Sequence, residues 1–468
     1  MKGEGTLIKG LQKYWIAFIV GMGILTFMVQ EAQAIPAFAR KYNTSCATCH
    51  EAFPRLNAFG EAFRLNGYRF PNNDAAYIKQ EPVTLGQEAY KKLWPKAIWP
   101  SDIPGFPPVA LRIISDYNID TGGTKEARSQ FETPREIELL AAGAMGTSLS
   151  FFTEVEFESE EGETETELVG SLQFENLLGP KHLLNLRVGK LGRHELELFT
   201  ARDVNRLTFN PYLYGDWTLP YPDGFHTRNL FQQSNLQPGI EINGFGSRWR
   251  YAIGVVNGNN GSIEDNNSQK DIYAQLALKF KGLGFDGSSS KKKREGDTLG
   301  TGGWQDDSII ASLLGYRGTA LVNLTGDEVD NQNDDFWRFG FGIQGKYRNF
   351  KIGTGYIWGS NDNPYGTLSN KSVDSRSWFI EGEYFIYPWV IPSLRYEALN
   401  LDLPDVPGLQ RDQDRARFIT SLTFLVRANV KVLVEGRFAT KDERFTKATP
   451  GSSKHSDDAV DLSVDFAF

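Results

Sequence analysis

An alternation of apolar and polar residues with period two, carried from Val109 to Phe468, restricts the fold more than any other feature of this chain. Between Arg248 and Val255, Trp249, Tyr251, Ile253 and Val255 alternate with Arg248, Arg250, Ala252 and Gly254. Between Ile272 and Lys281, Ala274, Leu276, Leu278 and Phe280 alternate with Tyr273, Gln275, Ala277, Lys279 and Lys281. Val430, Val432, Val434 and Phe438 alternate in the same way with Lys431, Leu433, Glu435 and Arg437. Successive residues of a strand face opposite ways, so each run has one apolar face and one wet face. About sixteen such runs begin near residues 109, 134, 147, 165, 182, 237, 248, 271, 308, 334, 350, 374, 390, 412, 428 and 456. Tight turns at 144–147, 178–181, 246–247 and 348–349 alternate with longer polar connections at 121–133, 258–270, 360–373, 401–411 and 441–455. Short turns at one end and long loops at the other are the pattern of an outer-membrane barrel. The expected class is all-β, an antiparallel transmembrane β-barrel of about sixteen strands over residues 106–468. A soluble sandwich or propeller competes, but accounts poorly for the loop asymmetry.

The composition agrees. A mean hydropathy of −0.38, with no apolar run of 18 residues beyond the first thirty, excludes a polytopic helical membrane protein. The net charge of −8 argues against nucleic acid as a partner. Residues 1–34 read as a secretory signal: Lys2, Lys9 and Lys13 precede the apolar run Tyr14–Val29, and Ala32-Gln33-Ala34 is a small-x-small cleavage site. An uncleaved N-terminal anchor is the alternative.

The chain has only two Cys, which excludes a four-Cys zinc site and more than one disulfide. Both fall in Cys46-Ala47-Thr48-Cys49-His50, the attachment signature of c-type haem. Two thiols add to the haem vinyl groups, and the adjacent His50 becomes the proximal iron ligand. A thioredoxin-like pair needs a surrounding βαβ pattern, which is absent. Phe53, Leu56, Phe59, Phe63 and Leu65 then recur at roughly helical spacing, a short helix able to cover a porphyrin. Residues 35–105 are therefore read as a small α-helical cytochrome c module with one covalent haem c together with its linker, Pro, Trp and Lys crowding between Glu81 and Pro108. No second His and no Met lies between Ile35 and Pro108. The sixth iron ligand is then one of Met145, His182, His194, His226 and His455, an unusual ligand such as Lys, Tyr or the amino terminus, or absent.

Two connections are longer than a barrel needs. Residues 192–237 form an outer segment expected to fold inward and constrict the lumen. It carries His226, the favoured distal ligand, and Arg228, suited to a haem propionate. Residues 282–307, expected at the periplasmic end, carry Lys291-Lys292-Lys293-Arg294, a solvated loop or a docking patch for an acidic partner. Glu136, Glu138, Glu154, Glu156, Glu158, Glu167 and Glu175 are expected on the inner face. Arg187, Arg248, Arg250, Arg395, Arg415, Arg417 and Arg437 are expected on the opposing wall. These charges either hold a plug or attract hard cations such as Fe²⁺.

The stretch Pro36-Ala37-Phe38-Ala39-Arg40 through Cys46-Ala47-Thr48-Cys49-His50-Glu51-Ala52-Phe53-Pro54-Arg55-Leu56-Asn57-Ala58-Phe59-Gly60 resembles the fused monohaem cytochrome–porins of the bacterial outer membrane. The best-known members of that family are the iron oxidases of iron-oxidising bacteria. The resemblance implies a haem plug in or beneath an outer-membrane barrel. It implies electron transfer from extracellular Fe(II), or another extracellular donor, to periplasmic c-type cytochromes, with outer-membrane lipid around the barrel. Haem attachment carries over to Cys46, Cys49 and His50. An Fe(II)-oxidising cytochrome acting by outer-sphere transfer is the enzymatic reading. The alternative is a solute-conducting porin whose cytochrome module is a structural or regulatory plug.

Overall fold

The alternating runs become strands that close on themselves in the computed structural model. It describes residues 37–79, 83–84, 102–103, 108–123, 128–160, 163–179, 181–191, 207–215, 218–220, 227–229, 236–258, 265–288, 306–322, 332–404, 414–443 and 457–468. The barrel strands are β1 (Val109–Asp120), β2 (Ser129–Met145), β3 (Leu149–Glu160), β4 (Glu163–Phe174), β5 (Asn185–Leu191), β6 (Gln237–Phe245), β7 (Trp249–Val256) and β8 (Asp271–Phe280). They continue as β9 (Ser308–Val322), β10 (Gln332–Tyr347), β11 (Phe350–Asn361), β12 (Val373–Tyr384), β13 (Val390–Asp402), β14 (Arg415–Arg427), β15 (Val430–Asp442) and β16 (Ala459–Ala467). Each pairs antiparallel with the next, and β16 pairs back onto β1, which closes the ring. The largest departure from expectation is the start of β2. Residues 129–132 read as part of a largely polar connection over 121–133, but Phe131 and Glu132 pair with Tyr117 and Asp116 of β1. The ladder is made by backbone groups and takes in any side chain that can face water.

β8 shows what surrounds the ring. Ile272, Leu276, Leu278 and Phe280 are 39–55% exposed, whereas Asp271, Gln275 and Lys279 are at most 5% exposed. A protein in water buries the first set and exposes the second. The inversion is that of a barrel bathed in lipid with a polar interior, the outer-membrane type. Exposed Tyr347, Phe350, Tyr384, Tyr387 and Trp389 line one end of β10–β13, and Trp337 stands toward the other, as aromatic girdles do. None of the described helices is long and apolar enough to cross a membrane.

The two ends differ. β1 begins and β16 ends at the mouth that also carries the turns after Met145, Phe245, Tyr347, Tyr384 and Arg427. This is the periplasmic mouth by the short-turn rule, and the long loops lie at the other. One connection is short on the long-loop side, since only residues 161 and 162 separate β3 from β4. The connection from β8 to β9 leaves at the short-turn mouth, as expected. Its Lys291–Arg294 run lies outside the described residues.

Two pieces of chain fill the lumen. The first is the N-terminal module, with helices α1 (Ala37–Tyr42) and α2 (Ala58–Leu65) and a small hairpin pairing His50 with Leu56 and Ala52 with Arg55. In the 81–108 stretch, Val83–Thr84 pairs with Asp102–Ile103. The second piece is residues 207–215, which turn inward as the length of their loop suggested. Arg395 donates to Thr208 Oγ1 (2.9 Å) and to the Asn210 carbonyl (2.8 Å), and its guanidinium lies 4.0 Å from the Tyr212 ring centroid. Glu435 accepts from the backbone N–H groups of Phe209 and Asn210.

The lumen charges do not face one another across the ring as expected. The acids on β2–β4 and the arginines on β13–β15 are separated only by β16 and β1, and Arg187 of β5 and Arg250 of β7 stand on the other side of the same acids. The arginine side carries its own acids, with Arg417 2.7 Å from Glu397 and Arg395 3.4 Å from the same carboxylate. Arg248 is not on the wall at all. It sits at a short turn, donating to the carbonyls of Lys281 and Gly282.

Candidate cofactor-binding site

Cys46 and Cys49 flank a single 3₁₀ turn, Cys46–Thr48, capped by the Ser45 side chain on the Ala47 N–H. The Cys49 N–H donates to the Cys46 carbonyl at 3.1 Å, so this turn brings the two cysteines to one side of the chain. They are not joined in a disulfide. Burial pushes both up, Cys49 to about 12, with Cys46 adding to the shift. Redox-active C-x-x-C pairs depend on a lowered thiol pKa, and this pair has the opposite.

His50 follows on the hairpin. Its Nδ1 lies 2.9 Å from the Pro54 carbonyl, which can only accept. The ring therefore carries its proton on Nδ1 and keeps the Nε2 lone pair for a metal, the arrangement that orients ligating histidines. Burial lowers the imidazole to about 4, with the Pro54 and Arg55 backbone working against it, so the ring is neutral at ordinary pH.

Two residues shape this loop from the other side. Asn57 caps α2, accepting from the Gly60 N–H at 2.9 Å. The same side chain donates to the carbonyls of Ala47 and Thr48, and its backbone N–H donates to the Cys49 carbonyl. One asparagine thus ties the helix start to the cysteine turn. At Gly60 a Cβ would stand 2.0 Å from the Cys49 oxygen, so only glycine lets α2 pass. Beyond them is an aromatic cluster, Tyr42, Phe63 and Phe70, with Phe38, Phe59, Tyr68 and Cys49 packed on it. Tyr42 and Phe70 stack at 4.0 Å, and Asp74 accepts from the Tyr42 hydroxyl and the Phe70 N–H.

The module is fixed to the wall by buried ions. Arg55 lies 2.8 Å from Glu51 and 2.5 Å from Glu383 of β12, and its side chain is 1% exposed. Glu51 also pairs with Lys346 of β10, and Lys351 of β11 lies 3.9 Å from it. Burial alone would raise the Glu51 carboxyl, but Lys346, Arg55 and Lys351 bring it down to about 2. On the other flank Arg69 pairs with Glu175 and donates to the Gly146 carbonyl, and Arg250 of β7 lies 3.1 Å from Glu61. The site is thus seated in the short-turn mouth. Asn57 and Gly60 both escape the sequence reading; an Asn ahead of an apolar run is the one signal, an N-cap, that could have pointed to the first. The wall partners carry no local signal.

Of the expected distal ligands, His194, His226 and His455 lie outside the described residues. Met145 ends β2 at the short-turn mouth. His182 stacks on Phe245 at 4.8 Å, with Nδ1 3.6 Å from Glu175. The backbone of Arg228 pairs with Leu219, which packs in the cluster of Val256, Phe336 and Val373 toward the long loops. The Arg228 side chain lies outside the described residues.

No protein-family model matches the chain, and no curated protein does. Among solved structures it is similar to OmpF of Salmonella typhi in complex with daunomycin (TM-score 0.48, 12% identity, 77% of this chain and 97% of that one). It is also similar to Pseudomonas putida OprB at high pH (0.48, 10%, 77% and 94%) and to the anion-selective porin from Comamonas acidovorans (0.47, 10%, 77% and 98%). At such identities a likeness speaks to fold alone, and the barrel assignment here rests on strand pairing and on the exposure of its outer face.

Proposed function

We propose that this outer-membrane barrel is an electron-transfer protein. It holds one haem c on Cys46, Cys49 and His50 and takes electrons from extracellular Fe(II), or another extracellular donor, to periplasmic c-type cytochromes. The observation that carries the reading is the donor set itself: two protonated thiols on one turn beside a neutral imidazole whose Nδ1–H is already committed to Pro54. Haem bound there supplies reversible one-electron exchange at its iron. The chain's own residues do the rest. The cysteines anchor, and His50 offers Nε2. Asn57 and Gly60 hold the turn in shape, and the Phe38–Phe63–Tyr42–Phe70 cluster gives a ring system an apolar neighbour. Glu51 and Arg55 fix the module in the mouth that periplasmic partners reach. Residues 207–215 narrow the lumen above it, which favours a conduit over a solute-conducting porin.

Purified protein should show a c-type spectrum with one haem per chain, lost in Cys46→Ser/Cys49→Ser; a wild type without it ends the proposal. Stopped-flow mixing of oxidised protein with Fe²⁺ near neutral pH should reduce the haem. No reduction, together with large conductance in planar bilayers, would favour the porin. His226→Ala should turn a low-spin spectrum high-spin, and an unchanged spectrum removes His226 as the ligand.

A further inference from the structure

The outer face of the barrel carries one trough at the long-loop end. Strand register places Ala274 of β8, Gly315 of β9, Phe339 of β10 and Trp358 of β11 side by side in one row. The first two are the smallest side chains available, and a Cβ at Gly315 would meet nothing within 4 Å. Phe339 and Trp358 rise beside them as a ridge with ring centroids 4.8 Å apart. One row nearer the loops stand Ile272, Arg317 and Trp337. Arg317 is exposed and faces outward, where lipid lies. Among the described residues it makes no ion pair or hydrogen bond. Arg376 of β12, paired with Trp358, is exposed in the same way on the far side of the ridge, and it too has no partner among the described residues. Of the nearby acids, Asp335 already accepts from the Thr319 hydroxyl (2.6 Å), and Asp374 lies in the row of Trp337.

An unpaired guanidinium on the lipid face is costly at mid-membrane and tolerable only near the interface. Two of them, three strands across and two residues along, about 16 Å apart, suit a headgroup with two anionic ends. Arginine recognises phosphate through paired N–H donors, and the apolar trough between suits an acyl chain. We propose that this trough binds one bisphosphorylated glycolipid of the lipid A type from the outer leaflet. An acyl chain would lie over Gly315 against the Phe339–Trp358 ridge, with the two phosphates at Arg317 and Arg376. A phospholipid with one phosphate fills only half of this arrangement.

The test is native mass spectrometry of the full-length protein titrated with three probes: bisphosphorylated lipid A, the same lipid stripped of phosphate, and phosphatidylglycerol. One lipid A should be retained, at least tenfold more tightly than either other probe. Arg317→Gln/Arg376→Gln should lose that preference, and Gly315→Leu, which fills open space, should weaken binding tenfold or more. Heat-modifiable gel migration checks that each variant is a folded barrel. Equal retention of the three probes by the wild type, or undiminished lipid A binding in the folded double-arginine variant, would overturn the proposal.

Discussion

The barrel wall and the module inside it are specified in different ways. The wall is written in classes of residue: along β8 any apolar side chain will do at 272, 276, 278 and 280, because lipid asks only for an apolar surface. The module is written in individuals. Asn57 makes four hydrogen bonds that join a helix to the cysteine turn, and Gly60 is the one residue that lets them touch. A repeating wall tolerates exchange, whereas a module of some forty residues, with one small aromatic cluster for a core, depends on single contacts and on the wall around it.

That contrast can be broken. The largest effect is expected at Glu383, a wall residue that serves the module. Glu383→Gln leaves the buried Arg55 short of a counter-charge, at a cost of about 3–5 kcal/mol. Protease should then cut the module while the barrel keeps its heat-modifiable migration; a barrel that falls with it would mean the two are not separately specified. Next is Leu276→Arg, expected to cost about 2–4 kcal/mol in urea unfolding from vesicles, against little for Leu276→Ile. If isoleucine is as damaging as arginine, the wall reads identity after all. Third is a pair of glycines. Gly60→Ala should destabilise the module by about 1–3 kcal/mol and lower haem loading, whereas Gly315→Ala should stay within about 0.5 kcal/mol. Equal effects would erase the distinction.

The smallest effect is expected at His182. Burial, then the positive charge of Arg69, lowers its imidazole to about 4 from 6.5. The fold favours the neutral ring, so its contribution is whole above pH 6.5, declines between 6.5 and 4, and is level below. Thermal melts of wild type and His182→Phe should diverge only in that window; parallel curves would remove His182 from the account.

This difference also decides what could be read beforehand. Strand positions followed from period-two alternation, and β3, β7, β8, β9 and β11 begin within two residues of the expected places. The inward course of residues 207–215 followed from loop length. The cysteine turn was legible because its chemistry needs a fixed spacing. What stayed hidden was whatever joins distant segments. Nothing near Glu51 announces Lys346, 295 residues on, and nothing near Arg55 announces Glu383. Apart from Arg248, which sits at a turn, the strand charges were assigned to the right face but to opposing walls, because alternation gives the face of a strand and not its place around a ring.

The seat of the module has a consequence for size. β10 has 16 residues, which at about 3.4 Å each and a tilt near 40° makes a wall about 40 Å tall. Lys346, which holds Glu51 next to His50, is the last residue but one of that strand. A donor resting on the outer loops would stand most of that height away from His50, and electron exchange falls steeply with separation. On the proposed electron-transfer reading, the donors favoured are those small enough to enter the ring past residues 207–215, dissolved ions and compact chelates rather than solids.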